Sequence, residues 1–110
     1  MDLKVSRSDD GAGSARTIVA VTGFIDISNS QELVEVGTSA LSSGDRLVLD
    51  LSAVEFMDST GIGALVELDM AAQQPEQALE VVAVSDRVRR VLEITGLAER
   101  WSPAAEPGAV

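Results

Sequence analysis

One hydroxyl group stands out in this chain because of where it falls along the sequence. The segment Val54–Leu65 reads Val-Glu-Phe-Met-Asp-Ser-Thr-Gly-Ile-Gly-Ala-Leu, and it links an apolar run at Arg46–Leu51 to a segment with helical apolar spacing. Ser59 therefore falls at the predicted start of a helix. A phosphate on its oxygen would face free backbone N–H groups and the positive end of the helix dipole. The sequence thus indicates a site that tolerates a phosphate.

The residues around this hydroxyl have two interpretations. Asp58, Ser59 and Thr60 are all good helix-capping residues, and Gly61 and Gly63 lack side chains. In the structural interpretation they form a capped helix start with glycines that pack closely onto the strand. In the functional interpretation the small outer side leaves room for another protein, beside oxygen-bearing groups that converge at one helix end. The residues alone leave both open.

Other kinds of site are poorly supported. A nucleotide loop is disfavoured because Val66 stands where the third glycine of a dinucleotide fingerprint would be, and no Gly-Lys-Ser/Thr occurs. The Asp58–Gly61 segment differs from an aspartic protease loop by one extra residue, and it has no second copy. Asp26 and Glu55 add carboxylates without metal-ligand spacing. We therefore predict neither a metal nor a cofactor.

The composition narrows the class of protein further. The chain has no cysteine, histidine or tyrosine, which excludes disulfides, Ser-His and Cys-His nucleophile pairs and most zinc sites. Its net charge is −10, and Arg46 is the only basic residue between Thr17 and Asp86. Such a surface disfavours direct nucleic-acid binding and suits a basic protein partner, although it also promotes solubility. We predict that the chain is not an enzyme.

The length of 110 residues predicts one domain. We place it at residues 1–101 and interpret Ser102–Val110, with two prolines and small residues, as a flexible tail. No apolar run approaches the ~18 residues of a membrane span, and Met1–Arg7 lacks the apolar centre of a signal peptide. We expect a cytoplasmic protein without a membrane association.

The elements that must position the site alternate between strands and helices. Apolar patterning predicts strands around Leu3 and Val5, at Thr17–Thr22 with Gly23 as the end, at Arg46–Leu51 and at Leu79–Val84. Helical spacing predicts three helices, with apolar positions Leu33, Gly37, Ala40 and Leu41, then Ile62, Leu65, Val66 and Met70, then Val88, Val91, Leu92 and Thr95. The order predicts an α/β fold with a small mixed sheet of four to five strands and three to four helices.

Local signals predict where the helices begin and end. The first should follow the cap-forming segment Asp26–Ser30, and the second should end at Gln73–Glu76, which contains a proline. The third should be capped by Ser85 or Asp86 and end at Gly96. After it, Leu97–Trp101 is predicted to add a short strand or turn, with Trp101 as a lid on the core.

Three segments together resemble a known family. Phe56–Gly63 resembles the signature of anti-sigma-factor antagonists, the STAS-domain family that controls bacterial sigma factors by partner switching. Thr22–Asp26 resembles the glycine-x-aliphatic-aspartate turn after that family's second strand, and Ser85–Leu97 resembles its third helix. The resemblance runs from about Ile18 to Trp101 in the right order, and it implies a STAS-like fold.

The resemblance implies a phosphorylation switch. In that family an anti-sigma factor, itself a serine kinase, transfers phosphate from ATP to a serine that matches Ser59. The unphosphorylated antagonist binds the anti-sigma factor and releases the sigma factor, and a serine phosphatase resets the modified form. Asp58 would orient or recognise the serine. The partner-binding residues would be Asp26, Asp58, Ser59, Thr60, Gly61 and Gly63, on a monomer or weak dimer.

An alternative function stays open. Some STAS proteins are non-catalytic scaffolds of large signalling particles or subunits of lipid-transport complexes. The chain also departs from the family pattern, since Thr60 adds a second hydroxyl and Pro75 stands where many relatives have glycines. The compact length favours the antagonist.

Overall fold

The computed structural model describes residues 1–9, 11, 15–72 and 79–101, except the side chain of Arg100. Four strands and four helices are seen in these ranges. In chain order they are β1 (Asp2–Asp9), β2 (Ala15–Ile25), α1 (Ser30–Ser42), β3 (Arg46–Met57), α2 (Ser59–Ala71), β4 (Glu80–Val84), α3 (Asp86–Thr95) and α4 (Ala98–Trp101).

The strands form one mixed sheet in the order β1-β2-β3-β4. β1 pairs antiparallel with β2, whereas β2, β3 and β4 are parallel and are connected by helices, as parallel strands require. The predicted α/β class with a small mixed sheet is therefore confirmed. The parallel arrangement brings the carboxyl ends of three strands, and the starts of α1, α2 and α3, to one edge of the sheet. We refer to it as the carboxyl edge.

The core lies between one face of the sheet and the helices. Leu47, Leu49 and Leu51 of β3 are fully buried, as expected for alternate positions of a strand that face a helical layer. A side chain at Gly37 of α1 would displace core leucines, because a Cβ there would lie 2.9 Å from a methyl carbon of Leu47 and closer still to one of Leu68. The apolar positions predicted for α1 are all buried: Leu33, Gly37, Ala40 and Leu41.

The ends of α3 match the sequence prediction. Ser85 is the cap, since its hydroxyl oxygen accepts a hydrogen bond from the backbone N–H of Val88 at 3.2 Å. Gly96 ends the helix in the left-handed region at φ 79°. Leu92 is buried with Val88, but Thr95 is exposed, so its assignment to the apolar side was wrong. Thr95 donates its hydroxyl hydrogen bond to the carbonyl of Val91 instead.

The segment after α3 differs from its prediction. Trp101 is 3% exposed and belongs to the core, which confirms its role as a lid. The segment Leu97–Trp101 was expected to be a strand or turn, but it contains the helical turn α4. The backbone N–H of Trp101 donates to the carbonyl of Leu97 at 3.3 Å, which closes a helical turn and carries the indole back onto the core.

Two strands are longer than predicted. Gly23 was expected to end β2, but β2 continues to Ile25, because Gly23 adopts φ 89° within a register irregularity that keeps the pairing with β3. β3 likewise continues to Met57 rather than ending at Leu51. The pairing of β2 with β1 ends at Thr22, and the pairing of β3 with β4 ends at Leu51. Beyond these residues β2 and β3 continue as a two-stranded ribbon. We call Gly23–Ile25 with Val54–Met57 the ribbon.

The second helix also differs in one detail. Its buried side carries Gly61, Ala64, Leu65 and Leu68, whereas Met70, which was assigned to the apolar spacing, is 77% exposed. Met70 lies nine residues after Gly61, which at 100° per residue is the opposite side of the helix. The helix ends at Ala71. The predictions for Gln73–Glu76 and for the tail Ser102–Val110 lie outside the described residues.

A polar cluster fastens β1 at the edge of the sheet opposite the carboxyl edge. Asp45 is 3% exposed and accepts hydrogen bonds from Arg7 Nε at 2.8 Å, Arg7 Nη2 at 3.2 Å and Thr17 Oγ1 at 2.8 Å. The hydrogen bond from Arg7, followed by that from Thr17, lowers the pKa of Asp45. This charged group is therefore satisfied.

None of the helices described here has both the length and the apolar content to cross a membrane.

Candidate functional site

The site is built where β3 ends and α2 begins. Asp58 is the N-cap of α2, with extended backbone angles of φ −97° and ψ −171°. Its carboxylate oxygen Oδ1 accepts a hydrogen bond from the backbone N–H of Thr60 at 2.8 Å and another from the hydroxyl of Thr60. The backbone carbonyl of Asp58 accepts from the N–H of Gly61 at 3.0 Å. The helix start is therefore fixed by Asp58.

Ser59 is the first residue of α2 and is exposed. Its hydroxyl makes no hydrogen bond with any residue that the structure describes, whereas the hydroxyl of Thr60 is already bonded to Asp58. The two adjacent hydroxyls thus differ in availability. Ser59 has the accessible oxygen at the positive end of the helix dipole, as the sequence predicts, and Thr60 completes the cap.

Asp58 supplies a negative charge next to this hydroxyl. The hydrogen bond from the Thr60 hydroxyl is the main cause that lowers the pKa of Asp58, while its partial burial acts in the opposite direction. The carboxylate is therefore ionised at neutral pH. A phosphate on Ser59 would be repelled by this carboxylate and stabilised by the N-terminus of the helix.

The two glycines of the site have different environments. Gly61 is buried, and a Cβ there would lie 2.8 Å from Met57 Sδ and closer still to Met57 Cγ. Gly63 is exposed, and a Cβ there would meet no atom within 4 Å. Gly61 therefore lets α2 pack onto the end of β3. Gly63 has no such packing reason, and its missing side chain leaves the surface of α2 flat.

The second aspartate of the site lies at the end of β2. Asp26 Oδ1 accepts hydrogen bonds from the backbone N–H of Ser28 at 3.0 Å and from the hydroxyl of Ser28. The backbone N–H of Asp58 donates to the carbonyl of Ile25 at 3.2 Å, which ties the two strand ends together. The structure thus brings the predicted site residues to the carboxyl edge, with Gly61 beneath the surface.

Three exposed apolar residues at this edge were not predicted as site residues. Phe24 is 52% exposed, Phe56 is 40% exposed and Ile27 is 80% exposed. The two rings lie with centroids 5.8 Å apart at an angle of 42°. Alternation along β2 and β3 was the available signal, but it needs the full strand lengths, and both strands are longer than predicted.

No group of three or more acidic side chains in the described part of the chain is arranged to hold a metal ion. The carboxyl edge instead provides a favourable electrostatic environment for an anion. Three helices begin there, and the positive ends of their dipoles make the edge more tolerant of an anion than the charge of −10 alone would suggest. The edge can therefore accommodate an added negative group.

The comparisons with known proteins agree on the class. The family model described as "Mlab, STAS domain" matches residues 9–102. The anti-sigma-B factor antagonist of Staphylococcus aureus is 41% identical over 80 residues, which are 72% of this chain and 74% of that protein. The chain therefore belongs to the STAS-domain family of anti-sigma-factor antagonists. This membership confirms the resemblance seen in the sequence and the prediction that the chain is not an enzyme.

Solved structures support the same fold. An anti-sigma factor antagonist from Mycobacterium paratuberculosis is 29% identical with a TM-score of 0.72, covering 92% of this chain and 84% of that one. The Bacillus cell fate determinant SpoIIAA in its phosphorylated form has a TM-score of 0.68 at 16% identity, covering 98% and 96% of the two chains. The second likeness concerns the fold alone.

Proposed function

We propose that this chain is an anti-sigma-factor antagonist whose binding to an anti-sigma factor is switched off by phosphorylation of Ser59. In the unphosphorylated state it occupies the anti-sigma factor and so releases a sigma factor. The observation that carries the proposal is the exposed hydroxyl of Ser59 at the start of α2, which makes no hydrogen bond within the described residues and is next to the ionised carboxylate of Asp58.

The physical effect of a phosphate supports a switch that acts on binding. A phosphate adds a charge of about −1.5 to −2 at neutral pH. The N-terminus of α2 offsets part of the repulsion from Asp58, by roughly 1 kcal/mol. Because Ser59 is exposed and holds no other group in place, the fold has no reason to change.

The interface responds differently from the fold. A phosphate at its centre adds bulk and an unpaired charge where the partner needs close contact. Losing one central contact typically costs about 2–4 kcal/mol, which is roughly a 30- to 1000-fold loss of affinity. That is sufficient for a two-state binding switch without any rearrangement of the antagonist.

The partners follow from this assignment. The proposed kinase is the anti-sigma factor itself, and a serine phosphatase restores the free hydroxyl. The binding surface consists of Asp26, Asp58, Ser59, Thr60 and Gly63, with Gly61 setting the position of the helix beneath them. The protein would act in the cytoplasm as a monomer or weak dimer, without direct contact to nucleic acid.

Phosphate transfer tests the site. The purified chain is mixed with its anti-sigma factor kinase and ATP, and intact mass spectrometry should show the gain of one phosphate. Ser59→Ala should accept none, whereas Thr60→Ser, which keeps the capping hydroxyl, should be modified like the parent chain. Transfer that persists in Ser59→Ala would reject the site.

Binding tests the switch. Ser59→Asp should weaken the complex with the anti-sigma factor by at least about 30-fold, while the melting temperature stays nearly unchanged. Ser6→Asp is the matched control, because Ser6 is an exposed serine on β1 and the change adds the same charge. If both variants weaken binding equally, general charge explains the effect and the switch assignment is wrong.

A further inference from the structure

The ribbon exposes two aromatic side chains beside the exposed carboxylate of Glu55. Phe24 and Phe56 face each other across the two strands, with ring centroids 5.8 Å apart, and neither belongs to the buried core. At 52% and 40% exposure the two rings leave on the order of 200 Å² of apolar surface in water. An apolar patch of this area is ordinary for a monomer, so its position beside Ser59 and not its size suggests an interaction.

About half of each ring remains in water, so the packing of the fold uses these two side chains only in part. The ribbon is held to the domain by its other face, where Ile25 is 0% exposed and Met57 is 2% exposed. The pairings of β1 with β2 and of β4 with β3 end before the ribbon, at Thr22 and Leu51. The aromatic pair therefore lies on a projecting part of the sheet, where no other strand of the described chain covers it.

The aromatic pair is close to Ser59 along the chain. Each phenylalanine lies two residues before one of the aspartate turns, Phe24 before Asp26 and Phe56 before Asp58. Ser59 is three positions after Phe56, so their Cα atoms are at most about 11 Å apart. An interface of ordinary size, about 800 Å² per partner, is wide enough to include both Ser59 and these rings.

We propose that Phe24, Phe56 and Ile27 form an apolar anchor for the same anti-sigma factor that Ser59 controls. This inference rests on the proposed function. The anchor is bordered by the carboxylates of Asp26 and Asp58, so its complement on the partner is an apolar patch with basic residues around it. The binding surface then has a switch on α2 and an anchor on the ribbon that keeps the same chemistry whether or not Ser59 is modified.

Calorimetric titration of the full chain with its purified anti-sigma factor tests the anchor. Phe24→Ser, Phe56→Ser and Ile27→Ser should each raise Kd by about 10- to 100-fold. Ile94→Ser is the control, because Ile94 is 79% exposed in the last turn of α3, away from the ribbon, and its Kd should stay within about twofold of the parent value. Unchanged affinity in all three anchor variants would overturn the proposal.

A second measurement needs no substitution at the anchor. The chain contains only two phenylalanines, and both are in the ribbon, so labelling with 4-fluorophenylalanine reports on this surface alone. Adding the unlabelled anti-sigma factor should shift both fluorine resonances. Resonances that do not move at saturation would overturn the anchor even if a serine variant failed to fold.

The outcomes separate the anchor from the proposed function. If Ser59→Asp weakens binding but the ribbon variants bind normally, the anchor is wrong and the switch stands. If the parent chain binds no anti-sigma factor of its organism, the proposed function fails and the anchor fails with it. If the ribbon variants dissociate a dimer in sedimentation while partner affinity is unchanged, the ribbon is an interface between two copies, and the anchor is rejected.

Discussion

At Asp58, one carboxylate oxygen accepts both hydrogen bonds from Thr60. These two hydrogen bonds affect the stability of the protein in acid. The pKa of Asp58 is lowered below its ordinary value of 3.8 in the folded chain. A lowered pKa means that the ionised form favours folding, so the contribution is fully present above the unfolded value and is lost as the pH falls through the folded one.

We therefore expect Asp58→Asn to flatten the loss of stability in acid. The melting temperature of the parent chain should fall as the pH drops below about 4. The variant should lack the part of this fall that comes from protonation of Asp58. Asp2→Asn is the control, because Asp2 is exposed and its side chain has no hydrogen-bond partner in the described chain. Parallel curves for the parent chain and Asp58→Asn would contradict this reading of the cap.

The two glycines of the site should respond oppositely to alanine. Gly63→Ala should raise the free energy of unfolding by about 0.5–1 kcal/mol, because alanine is the better helix former and its Cβ meets no atom. Gly61→Ala should lower it by about 1–3 kcal/mol, because the new methyl group displaces Met57. Urea unfolding measures both.

The same pair separates stability from binding. If Gly63 keeps α2 flat for a partner, Gly63→Ala should be a more stable protein that binds its anti-sigma factor more weakly. Equal changes of stability in the two variants would contradict the different environments described for the two glycines.

The position of Ser59 and Asp58 at a helix start could be predicted because their signal is local. A capping triplet between an apolar strand and a helical pattern identifies the position of the hydroxyl without any knowledge of the fold. The availability of Ser59 over Thr60 could not be derived in this way. It depends on which hydroxyl turns back to the capping carboxylate, and that is a matter of side-chain geometry.

Among the elements, α3 depends most clearly on its cap. The hydroxyl of Ser85 accepts from Val88, and the helix contributes only two fully buried residues to the core, so packing has limited capacity to compensate. Ser85→Ala should lower the free energy of unfolding by about 1 kcal/mol, measured by urea unfolding. Ser6→Ala, an exposed serine in β1, should change it much less, and an equal loss would mean that the cap is unimportant.

The ribbon shows why strand lengths were harder to predict than strand identities. Gly23 normally interrupts a strand, and Ser52 and Glu55 give the end of β3 a polar, turn-like appearance. The pairing of Phe24 with Phe56 and of Ile25 with Met57 overrides these local signals. Pairing between residues that are about 30 positions apart is a long-range interaction, and composition within a short window does not contain it.

For the whole molecule, the net charge of −10 should govern how quickly a basic partner is met. We expect the association rate constant with the anti-sigma factor to fall by about tenfold or more between low and high salt, because screening removes electrostatic steering. The dissociation rate constant should change far less. Stopped-flow mixing over a salt series measures both, and a flat association rate would show that the acidic surface serves only solubility.

The overall α/β arrangement was accessible from the sequence because alternating strand and helix patterns leave few topologies. The parallel order of β2, β3 and β4 follows from the helices that connect them. The Arg7–Asp45 pair was not accessible, because Arg7 and Asp45 are 38 positions apart and meet only once β1 has folded against β2.

Ser59, the serine of the proposed switch, is joined directly to a central strand of the sheet, with only Asp58 between β3 and Ser59. A modifying enzyme that approaches it meets a preformed surface and has no loose segment to draw into its own cleft. Such an enzyme has to recognise the folded surface around Ser59 and not a linear sequence motif. A synthetic peptide with the sequence of Phe56–Leu65 has the sequence without the folded surface, and we expect it to be a poor phosphate acceptor.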